Sequence, residues 1–386
     1  MEQELISKNK FRAVAIIGAG PAGCICAHYL QANGILPVIF EFGKPLRTLL
    51  PTGGGRCNLA HAEFDFKELA KNYPRGEKFL YSVFSKFGTA QTLEFFNSIG
   101  IKTYTQDDNR VFPVSNSSAD VREKLLKSIS KCKIIKEKVM EIKKPDNCFK
   151  IKTNKASYAF DCVVIATGGH ENFEIFPGLK INEPVQSLVG LVTKEDFTSL
   201  AGVCLRNVEI EGLKGDILFT HKGVSGPLIY KFSSINARKN MPYAMKVIIA
   251  CYDLQKELDK NPHKEIKNLL GQIVPKSFAV LVLGRLGIDI DMPCHKINGI
   301  TRDKIVKMLT GFEINVVGKV PDSEVVTCGG VDLNQINPKT MEAKDIPGLY
   351  FCGEVLDIDG FCGGFNLQNC WSTGAIAAEA IKKPTS

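Results

Sequence analysis

Residues Arg12 to Glu41 constrain the fold of this chain more than any other stretch. Ala13 to Ile17 is a short apolar run with β-branched residues, the pattern of a buried strand. Gly18-Ala19-Gly20-Pro21-Ala22-Gly23 follows at once, and Ala22 to Leu30 continues as an apolar, alanine-rich helix. Asn33-Gly34 has the chemistry of a helix C-terminus. Leu36 to Phe40 reads as a second strand with Glu41 at its end. Strand, G-x-G-x-x-G turn, helix, strand and an acid about 20 residues on make a dinucleotide-binding βαβ unit. Gly18 permits the sharp turn, Gly20 lets the backbone approach a pyrophosphate, and Gly23 lets the helix pack close to the strand. Pro21 and Ala22 open the helix, whose N–H groups and positive partial charge suit phosphates. Glu41 can accept hydrogen bonds from an adenosine ribose.

A chain of 386 residues suits two or three domains, or one large domain with inserts. Its net charge is +8, with Lys and Arg scattered and no basic run interleaved with aromatics. That pattern reads as a solvated surface and argues against a nucleic-acid partner. Met1 to Lys10 has no apolar signal core, and no run approaches the about 18 apolar residues of a membrane span. A cytoplasmic protein without a membrane partner is expected. The 13 cysteines include no C-x-x-C pair, so reduced thiols are expected and no metal site. Cys24 and Cys26, on the first helix, read as core.

Three further stretches have the composition of ligand loops. Lys44 lies just past Glu41, and Thr52-Gly53-Gly54-Gly55-Arg56-Cys57-Asn58 follows. Three consecutive glycines are entropically costly and make sense where backbone lies flat against a ligand. Arg56 can contact a pyrophosphate or hold the loop, and the Asn58 amide can meet a heterocycle edge. Cys162 to Ile165 is a buried strand that runs into Ala166-Thr167-Gly168-Gly169, at the sheet edge where α/β folds bind ligands. Near the end, Gly348 to Glu354 is a strand followed by a Gly353-Glu354 turn, then Asp359 and Gly363-Gly364-Phe365-Asn366-Leu367. From Asn366 an alanine-rich helix runs to about Ile381. A flavin would explain this second meeting of glycines, acids and a helix N-terminus. The helix end stabilises negative charge on a reduced ring, and an acid binds ribityl hydroxyls.

Between these loops, Phe64 to Gly100 and Ser118 to Ser130 read as helical. Ile134 to Ile142 reads as one strand, in which Val139 can offer its backbone to an adenine. Phe149–Thr153 and Ser157–Phe160 read as a hairpin. Composition changes near Gly190. Short strands follow, including Ala244 to Cys251, then helices from Asp253 to Leu309, then strands at Ile314–Val320 and Val325–Thr327.

Four blocks resemble a known family: Thr52–Asn58, Asn109–Ser115, Phe219–Pro227, and Gly348–Gly360 continuing to Gly363–Gln368. Together they are similar to the bacterial NAD(P)/FAD-dependent oxidoreductases of the aminoacetone oxidase type, which include a bile-acid-inducible flavoprotein. The resemblance implies an α/β fold with a Rossmann-like FAD-binding domain, an inserted β-barrel-like domain and a nested helical domain. The expected boundaries are 1–189 and 328–386 for the FAD domain, 190–251 and 312–327 for the β-rich insert, and 252–311 for the helical insert. It places Gly18, Gly20, Gly23, Glu41, Arg56, Asn58, Val139, Thr167, Gly353, Glu354, Asp359, Gly364 and Asn366 around FAD. This chain departs from the family pattern at Ala60 and His61 (where Thr and Asn are usual), at Phe365 (usually Tyr), and at Cys362 and Cys370.

The functional expectation is an FAD-dependent oxidoreductase acting on a small molecule. With no second G-x-G-x-x-G, NADH or NADPH would reduce the flavin as a transient visitor. No redox-active cysteine pair accompanies the motifs, which argues against a disulfide reductase. Substrate would approach from the insert, where His221, Lys222 and Ser225 are the polar candidates. Two alternatives stay open: a flavoprotein that modifies tRNA or another nucleic acid, and a non-catalytic FAD-binding sensor.

Overall fold

The computed structural model describes residues 12–169, 178–249, 253–321 and 326–382. Met1–Lys10, the end of the expected Ala244–Cys251 strand and the start of the expected Val325–Thr327 strand lie outside these residues. The chain forms two compact units, one of residues 1–185 and 326–386, the other of 186–325.

The first unit is built on a parallel sheet. Its strands, in spatial order, are Leu349–Phe351, Cys162–Ile165, β1 (Val14–Ile17), β2 (Val38–Phe40) and Lys133–Ile135. All four residues of β1 and of Cys162–Ile165 are buried, as a parallel sheet covered on both faces requires. Helix α1 (Pro21–Ala32) links β1 to β2 and ends at Asn33, with Gly34 in the left-handed region. The helix Phe365–Lys382 packs along α1 so closely that a Cβ on Gly374 would lie 2.5 Å from the Ala22 carbonyl oxygen. Buried Trp371 donates from Nε1 to the Leu59 carbonyl at 2.9 Å.

The stretch expected as one strand from Ile134 to Ile142 is two. Lys133–Ile135 closes the parallel sheet, while Val139–Lys143 opens a separate antiparallel sheet with Phe149–Thr153 and Ser157–Phe160. The polar triplet Lys136-Glu137-Lys138 makes the break. The Glu137 carboxylate accepts from Thr153 Oγ1 at 2.7 Å and Tyr158 OH at 3.1 Å. Phe64–Gly100 likewise divides, into helices Phe66–Ala70, Glu77–Phe84 and Thr89–Ser98.

In the second unit, six strands form an antiparallel sheet. Their order is Cys204–Ile210, Leu213–Thr220, Gly223–Ser225, Leu191–Thr193, Phe312–Lys319 and Tyr243–Val247. A bridge between Glu209 and Ile248, with N–H···O distances of 2.9 and 2.8 Å, joins its two edges. That is the β-barrel-like insert. Helices Leu254–Lys260, Ile266–Leu270, Lys276–Arg285 and Gly299–Leu309 form the nested helical part. Barrel and helices share one core: Phe278 stacks on Phe219 at 5.8 Å and meets Phe312 edge-on at 5.0 Å.

Candidate cofactor site

Steric detail fixes the glycine turn. Gly18 has φ +103°, and a Cβ there would lie 2.4 Å from the Ala166 carbonyl oxygen. The turn after β1 thus presses on Ala166-Thr167, the other expected ligand loop. A Cβ on Gly23 would lie 2.0 Å from the Gly18 carbonyl oxygen, so the helix returns against its own turn. Gly20 is different, because a Cβ there meets no atom within 4 Å. The space in front of Gly20 is open. Gly20 caps α1 without a side-chain hydrogen bond, Pro21 takes the first turn, and no acid lies there. The helix end is left with uncompensated positive partial charge facing an open cradle, which fits a pyrophosphate.

Glu41 braces the cradle. Its Oε2 accepts from the Ala19 N–H at 2.8 Å and its Oε1 from the Gly43 N–H at 2.7 Å. Each oxygen retains a second lone pair for a hydroxyl donor. Lys44 is exposed beside it.

The C-terminal segment meets this cradle directly. A Cβ on Gly353 would lie 2.8 Å from the Ala22 Cβ and 3.4 Å from the Cys370 sulfur. The Gly353 N–H donates to Thr373 Oγ1 at 2.9 Å. Half-buried Glu354 accepts from the Thr327 N–H at 2.7 Å, and Gly169 packs against its carboxyl carbon. Burial, with Glu354 adding to it, pushes the Cys370 thiol up to about 12, although backbone N–H groups of Glu354 and Ala22 pull the other way. Cys370 is therefore a neutral thiol at pH 7. Burial also raises Cys24 and Cys26, in keeping with core residues.

The second helix end lies where Thr52–Asn58 meets Gly363–Asn366. Gly53, Gly54 and Gly55 all have positive φ, and a Cβ on Gly54 or Gly55 would meet nothing. Thr52 Oγ1 donates to the Leu49 carbonyl at 2.6 Å. Arg56 lies over the Phe112 ring at 4.2 Å and donates from Nε to the Gly53 carbonyl at 3.3 Å, so it holds the loop. Cys57 is buried in the left-handed region. The Asn58 amide differs from its expected role. Oriented to satisfy its surroundings, it accepts from the Gly364 N–H at 3.0 Å and donates to the Ala60 and Val111 carbonyls at 3.0 and 3.2 Å. Burial makes it a clamp between loop and turn. Replacing Asn58 with Ala is expected to cost about 2–3 kcal/mol, read as a lower denaturation midpoint, because it orphans buried partners.

Gly364 packs with its Cα against the Ala60 backbone, where a Cβ would lie 2.5 Å from the carbonyl. Asn366 grips Gly360 through both N–H and C=O at 2.8 Å. Phe365 is buried, and Leu367 is half-buried within the first turn of the helix. No acid lies in the first turn of that helix.

The remaining expected site residues have surroundings of their own. Val139 is buried and paired with Thr153. Thr167 and Gly168 are half-buried beyond the Cys162–Ile165 strand, with Gly168 at φ +85°. Asp359 differs most from expectation: it is fully buried and held by the Arg75 guanidinium through two hydrogen bonds. His221, Lys222 and Ser225 lie in the second unit, at the turn joining Leu213–Thr220 to Gly223–Ser225. There His221 and Lys222 are exposed, and the Ser225 hydroxyl donates to Tyr230 OH at 3.1 Å.

Sequence reasoning missed Arg75, Tyr73 and the role of His61. Buried Tyr73 donates to the Phe365 carbonyl at 2.6 Å. His61 stacks on Phe365 with centroids 4.6 Å apart, and its Nδ1 lies 3.3 Å from the Gly363 carbonyl. Only the departure from the family pattern at Ala60-His61 pointed there. Arg75, inside a run read as helical, carries no sequence signal.

Two glycine-lined helix ends, with acids after β2 and after Leu349–Phe351, on one parallel sheet define an FAD-binding oxidoreductase. The chain belongs to the family described as HI0933-like protein Rossmann domain, whose model matches residues 12–380. It is 29% identical to the ribosomal RNA dihydrouridine synthase of Escherichia coli K12, over 97% of this chain and 98% of that one. It is 27% identical to a 3-dehydro-bile acid delta(4,6)-reductase of Clostridium scindens, over 95% and 98%. Among solved structures it is similar to the open conformation of a flavocytochrome c3 fumarate reductase. The TM-score is 0.51 at 14% identity, covering 99% of this chain and 78% of the other, a likeness of fold.

Proposed function

We propose that the chain reduces a carbon–carbon double bond conjugated to a carbonyl, with NADH or NADPH as the source of electrons. One relative is named for making dihydrouridine in rRNA and another for reducing the Δ4,6 bonds of a bile acid. Both names describe the addition of two hydrogens to such a bond. FAD, when bound, supplies the two-electron chemistry. Saturation takes a hydride at the carbon β to the carbonyl and a proton at the α carbon. The chain must bind and orient, exclude water and handle that proton.

The observation that carries the reading is His61, stacked on Phe365 where the C-terminal helix begins. A carbonyl only accepts, so contact with the Gly363 oxygen assigns a proton to Nδ1. Nε2 is then the atom that takes up and delivers a proton. His221 is exposed in the second unit, and no hydrogen bond from the described residues orients its ring. Scattered lysines do not weigh against a nucleic-acid substrate in a chain with a relative named for rRNA. An RNA base and a small conjugated ketone are therefore both substrates to assay.

His61→Asn tests the assignment. Its amide nitrogen replaces Nδ1 at the Gly363 carbonyl but offers nothing at Nε2. Flavin content and anaerobic bleaching by NADH or NADPH are expected to persist, while turnover with substrate falls about 100-fold or more. Unchanged turnover contradicts a proton role for His61.

A further inference from the structure

Between Lys131 and Lys155 the sequence holds nine lysines and three acids, six of the chain's eight net positive charges in 25 residues. Along the sequence they are interrupted by apolar residues and escape notice as a run. The fold brings four of them to one small antiparallel sheet, where Glu141 stands opposite Lys152. In Phe149–Thr153 burial strictly alternates, with Phe149, Ile151 and Thr153 inward and Lys150 and Lys152 outward. Lys143 is exposed on the neighbouring strand directly opposite Lys150, and Lys155 is exposed at the next turn. The only ion pair among these four joins Lys143 to Glu141 at 2.7 Å, within the described residues.

Two lysines directly opposite in an antiparallel pair repel each other and lower sheet stability. Folding gains nothing from that arrangement, whereas a polyanion does. We propose that the outer face of this three-stranded sheet is a docking surface for the phosphate backbone of RNA. A protein partner fits poorly, because lysine is depleted and aromatic anchors are enriched at protein interfaces. An anionic membrane fits poorly too. Met140 is the one large apolar side chain exposed on the described sheet, too little to insert. The surface extends the reductase reading by placing an RNA substrate, and it rests on that reading only for what happens to the RNA afterwards.

The test uses the full-length, FAD-loaded protein and a labelled single-stranded RNA, with affinity measured over a salt series. The wild type should bind with a steep log–log salt dependence. The K143Q/K150Q/K152Q/K155Q variant should bind on the order of 100-fold more weakly at low salt, with a slope smaller by about 3. Its FAD content and melting temperature should be kept, since relieving the Lys143–Lys150 repulsion does not harm the sheet. No RNA binding by the wild type overturns the proposal. So does an unchanged slope in the variant, or tighter binding to phosphatidylserine vesicles than to RNA. The readout needs no turnover, so its failure is distinct from failure of the reductase reading, which a small conjugated ketone tests alone.

Discussion

Alanine at Gly20 is expected to leave the fold intact and to deprive the protein of FAD. Gly20 has φ −78° and ψ −175°, which alanine adopts without strain. Its new methyl meets no protein atom within 4 Å. The methyl instead occupies the cradle at the start of α1 and holds the pyrophosphate away from the helix N–H groups. Hydrogen bonds to a charged group contribute about 1.5–3 kcal/mol each. One such loss weakens FAD about 10- to 150-fold, measured by titrating the apoprotein. Gly23→Ala is the contrast. Its Cβ would fall 2.0 Å from the Gly18 carbonyl oxygen, so α1 must move off β1. Both FAD binding and thermal stability should drop. Equal FAD affinity for Gly20→Ala and wild type would mean that the cradle does not hold the cofactor.

Arg75→Ala is expected to be the most destabilising change of a partly exposed side chain. The Asp359 side chain is fully buried and that of Arg75 is 20% exposed. Removing the guanidinium leaves a carboxylate in the interior with its main counter-charge gone, at a cost of about 3–5 kcal/mol. For a unit of this size that corresponds to roughly 10 °C in melting temperature. Asp359 precedes Gly360, which Asn366 clamps, so flavin affinity should fall as well. Arg75→Lys keeps the charge but not the two-pronged geometry and should recover part of the loss. A melting temperature within 2 °C of wild type, on the order of 1 kcal/mol, would show the pair to be dispensable.

The sheet of the first unit was legible because each part carried a local signature. Ala13–Ile17 and Cys162–Ile165 announce buried parallel strands through unbroken apolar runs, the glycine turn marks the helix that follows, and the fold adds only their order. The insert was legible as a run of short strands, and its barrel form followed only from the family resemblance. Its closure through Glu209 and Ile248 depends on two residues far apart in sequence, which no local pattern encodes. The site divided the same way. Residues that act through backbone shape, such as Gly18, Gly20 and Gly364, could be read from the motif. Residues that act through long-range side-chain contacts could not: Asp359 takes its role from Arg75, 284 positions away, and Asn58 from Gly364. The lysine face was overlooked for a related reason. Alternation along a strand halves the apparent charge density, and only the folded sheet shows Lys143, Lys150 and Lys152 on one side, with Glu141 the acid among them.

The most direct test of the account is a single anaerobic experiment. The yellow protein is bleached with NADH or NADPH, then mixed with a steroid bearing a 3-keto-4,6-diene or with uridine-containing RNA. The account predicts that one of these acceptors restores the flavin spectrum and emerges two hydrogens heavier by mass. A colourless protein that cannot be loaded with FAD would contradict it, as would a reduced flavin that only oxygen can reoxidise.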